Sequence, residues 1–120
     1  LPDAQDLAKR MERLAQGHPD GTKLTIKIVS RDGYYWPLPW YLRRFENIGY
    51  WSGAVPTDPN APLVLASPKF EETLLEKLPN HEIKGMHGLR LGVFYDLFVE
   101  KSLWESYRKR YGSSVDDEEY

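Results

Sequence analysis

Leu63-Val64-Leu65-Ala66-Ser67-Pro68 is the stretch from which the fold can be read. Four apolar residues run without the polar alternation of a half-exposed strand, so they predict a strand covered on both faces, at the centre of a sheet. Ser67 suits a helix N-cap and Pro68 a first helical turn. The helix that follows should bury Phe70, Leu74, Leu75 and Leu78 and stop before Pro79. A buried strand that runs straight into an amphipathic helix points to a crossover in an α/β domain.

Upstream, the β-branched alternation of Leu24-Thr25-Ile26-Lys27-Ile28-Val29 predicts a strand. It is preceded by a helix capped at Asp3, with Leu7, Met11 and Leu14 on its apolar stripe and Ala4, Ala8 and Ala15 widening it. After Asp32-Gly33, residues Leu38, Tyr41, Leu42 and Phe45 have helical spacing, and Pro37 and Pro39 fit the first turn of that short helix. Ile48-Gly49-Tyr50-Trp51 then predicts a brief strand, so that strand, helix and strand make a parallel crossover.

Downstream, His81 to Met86 and Leu91 to Val99 read as two strands joined across His87-Gly88, a link too short for anything but antiparallel pairing. Ser102 and Glu105 have capping-box spacing for a last helix through Trp104, Tyr107 and Tyr111, ended by Gly112. The predicted architecture is a single soluble α/β domain over residues 1–112, a three-layer α/β/α arrangement with a mixed, mostly parallel sheet of about five strands. Residues 113–120 read as an acidic, disordered tail.

The chain has 120 residues, 41% hydrophobic and 28% charged, a composition that supports one ordinary core. Its formal charge is −2, and Asp116, Asp117, Glu118 and Glu119 account for the acidic side. Basic residues are interspersed with acids except at Arg43-Arg44 and Arg108-Lys109-Arg110, so no nucleic-acid partner is expected. Without cysteine there is no disulfide, thiolate or Cys-based zinc chemistry. No apolar run approaches the ~20 residues of a membrane helix. The start at Leu1-Pro2-Asp3, without Met or a signal-peptide pattern, suggests a piece cut from a longer protein.

Ligands of open parallel sheets sit beyond the carboxyl ends of the strands, which here gathers Arg31, Asp32, Tyr34, Tyr35 and Trp36 with Trp51, Ser52 and Ser67. No glycine-rich phosphate loop follows any strand, and Pro37 and Pro39 remove two backbone donors. His18, His81 and His87 lack metal-ligand spacing and read as surface or turn residues. Asp32 and Glu46 have no evident convergence with Asp58 or Asp96, and Ser67 lies in no nucleophile elbow. No catalytic residue, metal or cofactor is expected in this chain, and no enzymatic activity of its own. The concentrated feature is aromatic: Tyr34, Tyr35, Trp36, Trp40, Tyr41, Tyr50 and Trp51, with Arg43 and Arg44 nearby. Such rings either stack on sugars or meet lipid headgroups, or they fill the core beneath a short helix, in which Trp40 is expected to be mostly buried. The candidate ligand-binding residues are Asp32, Tyr34, Tyr35, Trp36, Trp40, Arg43 and Trp51.

Asp32-Gly33-Tyr34-Tyr35-Trp36-Pro37-Leu38-Pro39-Trp40-Tyr41-Leu42-Arg43, followed by Gly49-Tyr50-Trp51, resembles the soluble C-terminal region of prokaryotic flippase-activity-associated multi-pass membrane proteins. These are similar to dolichyl-phosphate-mannose protein mannosyltransferases. Leu89-Arg90-Leu91-Gly92-Val93 resembles the family's L-R-P-G turn, with Leu91 in place of its proline. The resemblance spans Leu24 to Trp104 and is most distinctive in its first third. It implies a non-catalytic domain on the extracytoplasmic face, accessory to sugar transfer from a polyprenyl-phosphate carrier, since the family's catalytic acid belongs to a loop among membrane helices. Its implied partners are the membrane-spanning part of the same parent protein and a glycan or polyprenyl-phosphate sugar. From the residues alone, a free-standing α/β binding or regulatory module and a transferase with its site at the strand ends stay open beside it.

Overall fold

The computed structural model describes residues 2–33 and 35–112, so Tyr34 and the tail expected at 113–120 lie outside the described residues. The elements follow as α1 (Pro2–Ala15), β1 (Thr25–Ser30), α2 (Leu38–Tyr41), β2 (Asn47–Ser52), β3 (Leu63–Ala66), α3 (Glu71–Lys77), β4 (His81–Arg90), β5 (Val93–Glu100) and α4 (Lys101–Tyr111). Short 3₁₀ turns occupy Gly21–Lys23 and Pro68–Phe70. Five strands form one mixed sheet in the order β2-β1-β3-β5-β4. β3 is central and all four of its residues are buried, as an unbroken apolar run requires.

β1 pairs parallel with β2 and β3, whereas β5 pairs antiparallel with β3 and β4. The sheet is thus half parallel, where a mostly parallel one is expected. The chain leaves β3 through α3 and enters β4 one strand-width too far for direct pairing, and β5 turns back into the gap. The hairpin turn is Leu91-Gly92, not His87-Gly88. Gly92 supplies the turn's positive φ of 78°. Gly88 stays within β4, where a Cβ would lie 3.3 Å from an Asp3 carboxylate oxygen and 3.4 Å from the Phe94 ring. It is a close-approach glycine rather than a turn glycine.

Strand alternation sorts the core into two clusters on opposite faces of the sheet. One joins Ile26, Ile28, Leu63, Leu65 and Leu97 to α1, α2 and α4 through residues such as Leu7, Met11, Leu38, Leu42 and Trp104. The other sets Val29, Val64, Ala66 and Phe98 against Phe70, Leu74 and Leu78, with Val55 and Ala61 of the connector at its margin. Leu75 is exposed, contrary to the expected stripe, because α3 has only seven residues and turns Leu74 alone to the sheet. The expected capping box is not formed either: Glu100 holds the N-cap of α4, and Ser102 Oγ donates to its carboxylate at 3.0 Å.

α1 is fastened to β4 by a polar contact inside the first cluster's border. A register slip between Ile83 and Met86 turns the Lys84 carbonyl out of the ladder. The buried Arg10 donates to it through Nη1 at 2.7 Å. The Arg10 guanidinium and the Lys84 ammonium both face the buried Trp104 ring, 5.8 and 4.5 Å from its centroid. An aromatic face attracts cations electrostatically, so Trp104 joins three elements at once.

Candidate functional site

The two parallel pairs put the carboxyl ends of β1 and β3 side by side, and the chain departs from them on opposite faces of the sheet. From β1 it goes to α2, which packs in the first cluster, and from β3 to α3, which packs in the second. Such a divergence opens a crevice between the strand ends. A cleft of about 310 Å³ lies there. Ser30 and Ser67 line it at the strand ends, Arg31, Asp32 and Lys69 supply its charges, and Gly92, Val93 and Phe94 of the hairpin form the opposite wall.

Ser67 does more at this position than cap a helix. Its backbone carbonyl accepts from Phe70 N at 2.9 Å, but its hydroxyl makes no side-chain cap and instead accepts the Arg31 N–H at 2.9 Å, tying the two strand ends together. Ser30 Oγ is buried beside the Tyr95 hydroxyl without a hydrogen bond of good geometry. Asp32 is exposed and lies 3.3 Å from Arg31 Nε.

The aromatic candidates are dispersed. Tyr35 is half-buried against the first cluster and stacks on Tyr50 with centroids 4.8 Å apart. Burial, reinforced by Tyr35, pushes the Tyr50 phenol above its ordinary pKa. Trp51 points to the opposite face of β2, half-buried, with Lys27 Nζ 5.9 Å from its ring. Trp36 and Trp40 face outward and are 62% and 56% exposed.

The outward position of Trp40 corrects the expectation that it is mostly buried. α2 is a single turn, and the inner side of that turn is filled by Leu38 and, just past its end, Leu42, so Trp40 is left to solvent. Arg43 then covers one face of the ring, its guanidinium 4.1 Å from the centroid and its Nη1 donating to Trp40 O at 2.8 Å. Beside this pair a shallow groove runs to α1, lined by Lys9, Glu12 and Arg44, with Arg44 bonded to Glu12 at 3.0 Å.

Two of the histidines expected at the surface are buried. His81 Nε2 donates to Ala61 O at 2.6 Å, anchoring the connector between β2 and β3. His87 faces α1, where burial and then the Arg10 charge hold its pKa down to about 4 against the opposing pull of Asp3 and Asp6. Asp96 is only 3% exposed, and its neighbour is Glu71 rather than Asp32. Burial, then Glu71, raises its pKa to about 6. The signal in the sequence was a lone carboxylate inside Val93-Phe94-Tyr95-Asp96-Leu97-Phe98-Val99, an apolar strand with no reason to tolerate one.

Among the described residues, no group of three or more His, Cys, Asp or Glu is placed to hold a metal ion, and no helix is long and apolar enough to cross a membrane. Comparisons with family models, with curated proteins and with solved structures give no match.

Proposed function

We propose that this chain is a non-catalytic accessory domain of a membrane glycosyltransferase-like protein, held on the extracytoplasmic face of a prokaryotic membrane. There it meets the acceptor glycan or the membrane-spanning part of the parent. The observation that supports this reading is the outward presentation of Trp36 and Trp40, with Arg43 stacked on the second ring. Large rings in solvent are unfavourable unless they meet a partner, and an indole face beside a guanidinium suits a sugar ring. The resemblance of the Trp36-Pro37-Leu38-Pro39-Trp40-Tyr41 stretch to the flippase-activity-associated proteins favours the same assignment. The two core clusters on opposite sheet faces support the three-layer α/β/α arrangement expected of such a domain. A free-standing α/β ligand-binding module is the second reading, favoured by the cleft between β1 and β3.

Alanine at Trp36 and at Trp40 tests the first reading. Both variants should melt within the roughly ±0.5 kcal/mol expected of surface sites, while sugar transfer by the full-length parent falls. Tyr35→Ala should cost about 2 kcal/mol, half the penalty of a fully buried ring. A parent that carries both tryptophan substitutions and transfers sugar at its usual rate would remove this reading. The purified chain alone is expected to turn over no polyprenyl-phosphate sugar, and measurable turnover in a radiolabel assay would count equally against it.

A further inference from the structure

We propose that the cleft between the carboxyl ends of β1 and β3 binds a small organic oxyanion, a carboxylate or phosphate monoester carrying an apolar group. The site is separate from the Trp36 and Trp40 face. Its position follows from chain topology, because connections leaving β1 and β3 on opposite faces keep the space above the two strand ends clear of backbone.

Three features of the lining select the ligand. The first is a hydroxyl at a strand end. Ser67 Oγ accepts the Arg31 N–H and makes no side-chain cap, so its proton is available to a ligand. A ligand oxygen is the natural acceptor for a hydroxyl proton that lines a cleft. The second is charge: Arg31 and Lys69 face a single carboxylate, Asp32, already engaged with Arg31, so the cleft has an excess positive charge. Anions gain from such a site and cations do not. The third is the hairpin wall, where Val93 and the exposed Phe94 ring offer an apolar surface that an inorganic ion would leave uncovered. At about 310 Å³ the cleft is at the small end of ligand sites, with room for a ring-sized group rather than a nucleotide.

The experiment is an amide chemical-shift titration of the chain with phenyl phosphate and with phenylacetate, using inorganic phosphate and benzyl alcohol as the headgroup-only and ring-only controls. At least one of the two amphipathic anions should give saturable shifts at Arg31, Ser67, Gly92 and Phe94, with a Kd on the order of 1 mM or tighter. Whichever binds more tightly identifies the headgroup. Both controls should bind at least ~10-fold more weakly, as should either anion to Lys69→Gln or Phe94→Ala. Both substituted side chains are exposed, and an unchanged amide spectrum elsewhere verifies that the variants are folded. Absence of saturable shifts with both anions overturns the proposal. So does benzyl alcohol binding equally well, or unaltered affinity in Lys69→Gln. Because this readout needs no parent protein, its failure leaves the Trp36 and Trp40 assignment standing, and failure of that assignment leaves the cleft standing.

Discussion

Trp104→Ala is expected to lower the unfolding free energy by ~3–5 kcal/mol in a urea melt, a large part of the ~5–15 kcal/mol that holds a domain of this kind together. The ring is 3% exposed, lies 5.2 Å from the Tyr107 ring, and carries Arg10 and Lys84 on its faces. Its removal leaves a cavity and withdraws the ring that both cations face while they remain largely enclosed. Trp104→Phe should recover part of the loss, because a smaller ring still fills the centre of the space. A Trp104→Ala variant as stable as Trp40→Ala would mean that the junction of α1, β4 and α4 contributes little to folding.

Between about pH 4 and pH 6.5 Asp96 and His87 should tilt the stability of the chain in opposite directions, and two substitutions should expose each slope. Asp96 has its folded pKa raised to about 6, above an unfolded value of ~3.9. Its contribution is present in full below the unfolded value and is lost as pH rises through 6. His87 has its folded pKa lowered to about 4, beneath an unfolded value of ~6.5. Its contribution is present above 6.5 and is lost as pH falls toward 4.

Each single proton can tilt stability by at most about 1.4 kcal/mol per pH unit, and the two tilts oppose one another over the same window. Asp96→Asn should therefore become less stable on acidification from pH 6.5 to 4, since His87 then acts alone. His87→Gln should become more stable over the same interval, because Asp96 retains its affinity for the proton near Glu71. Urea melts at four or five pH values check both. A flat profile in either variant would show that its remaining group titrates as it does in the unfolded chain.

Two of the four tryptophans illustrate how far the sequence could be read. Trp104 sits at helical spacing with Tyr107 and Tyr111, and its burial follows from that pattern. Trp40 also follows an apolar neighbour at helical spacing, yet its helix is one turn long, and no periodicity can decide which way a single turn faces. Strands and the central position of β3 were legible because β-branched runs and prolines mark them locally. The place of β5 was not, since His87-Gly88 reads locally as a hairpin turn, whereas β4 runs on to Arg90 and the chain turns at Leu91-Gly92. Arg31, Asp32 and Ser67 were predictable members of the cleft as residues that follow strand ends. Val93 and Phe94 were not, because the hairpin reaches the cleft through β5 inserting beside β3, a long-range pairing with no local signature.

The strand order also leaves the two edges of the sheet unequally defended. β4 is broken by two register irregularities and bears Glu82, Lys84 and Arg90, all features that discourage another strand from adding to it. β2 has none of these: Asn47-Ile48-Gly49-Tyr50-Trp51-Ser52 runs in unbroken register, without charge or proline, and pairs on one side only. Its outward backbone groups form a ready template for strand addition, so self-association of concentrated chain would begin along β2, extending the sheet past the strand that carries Tyr50 and Trp51.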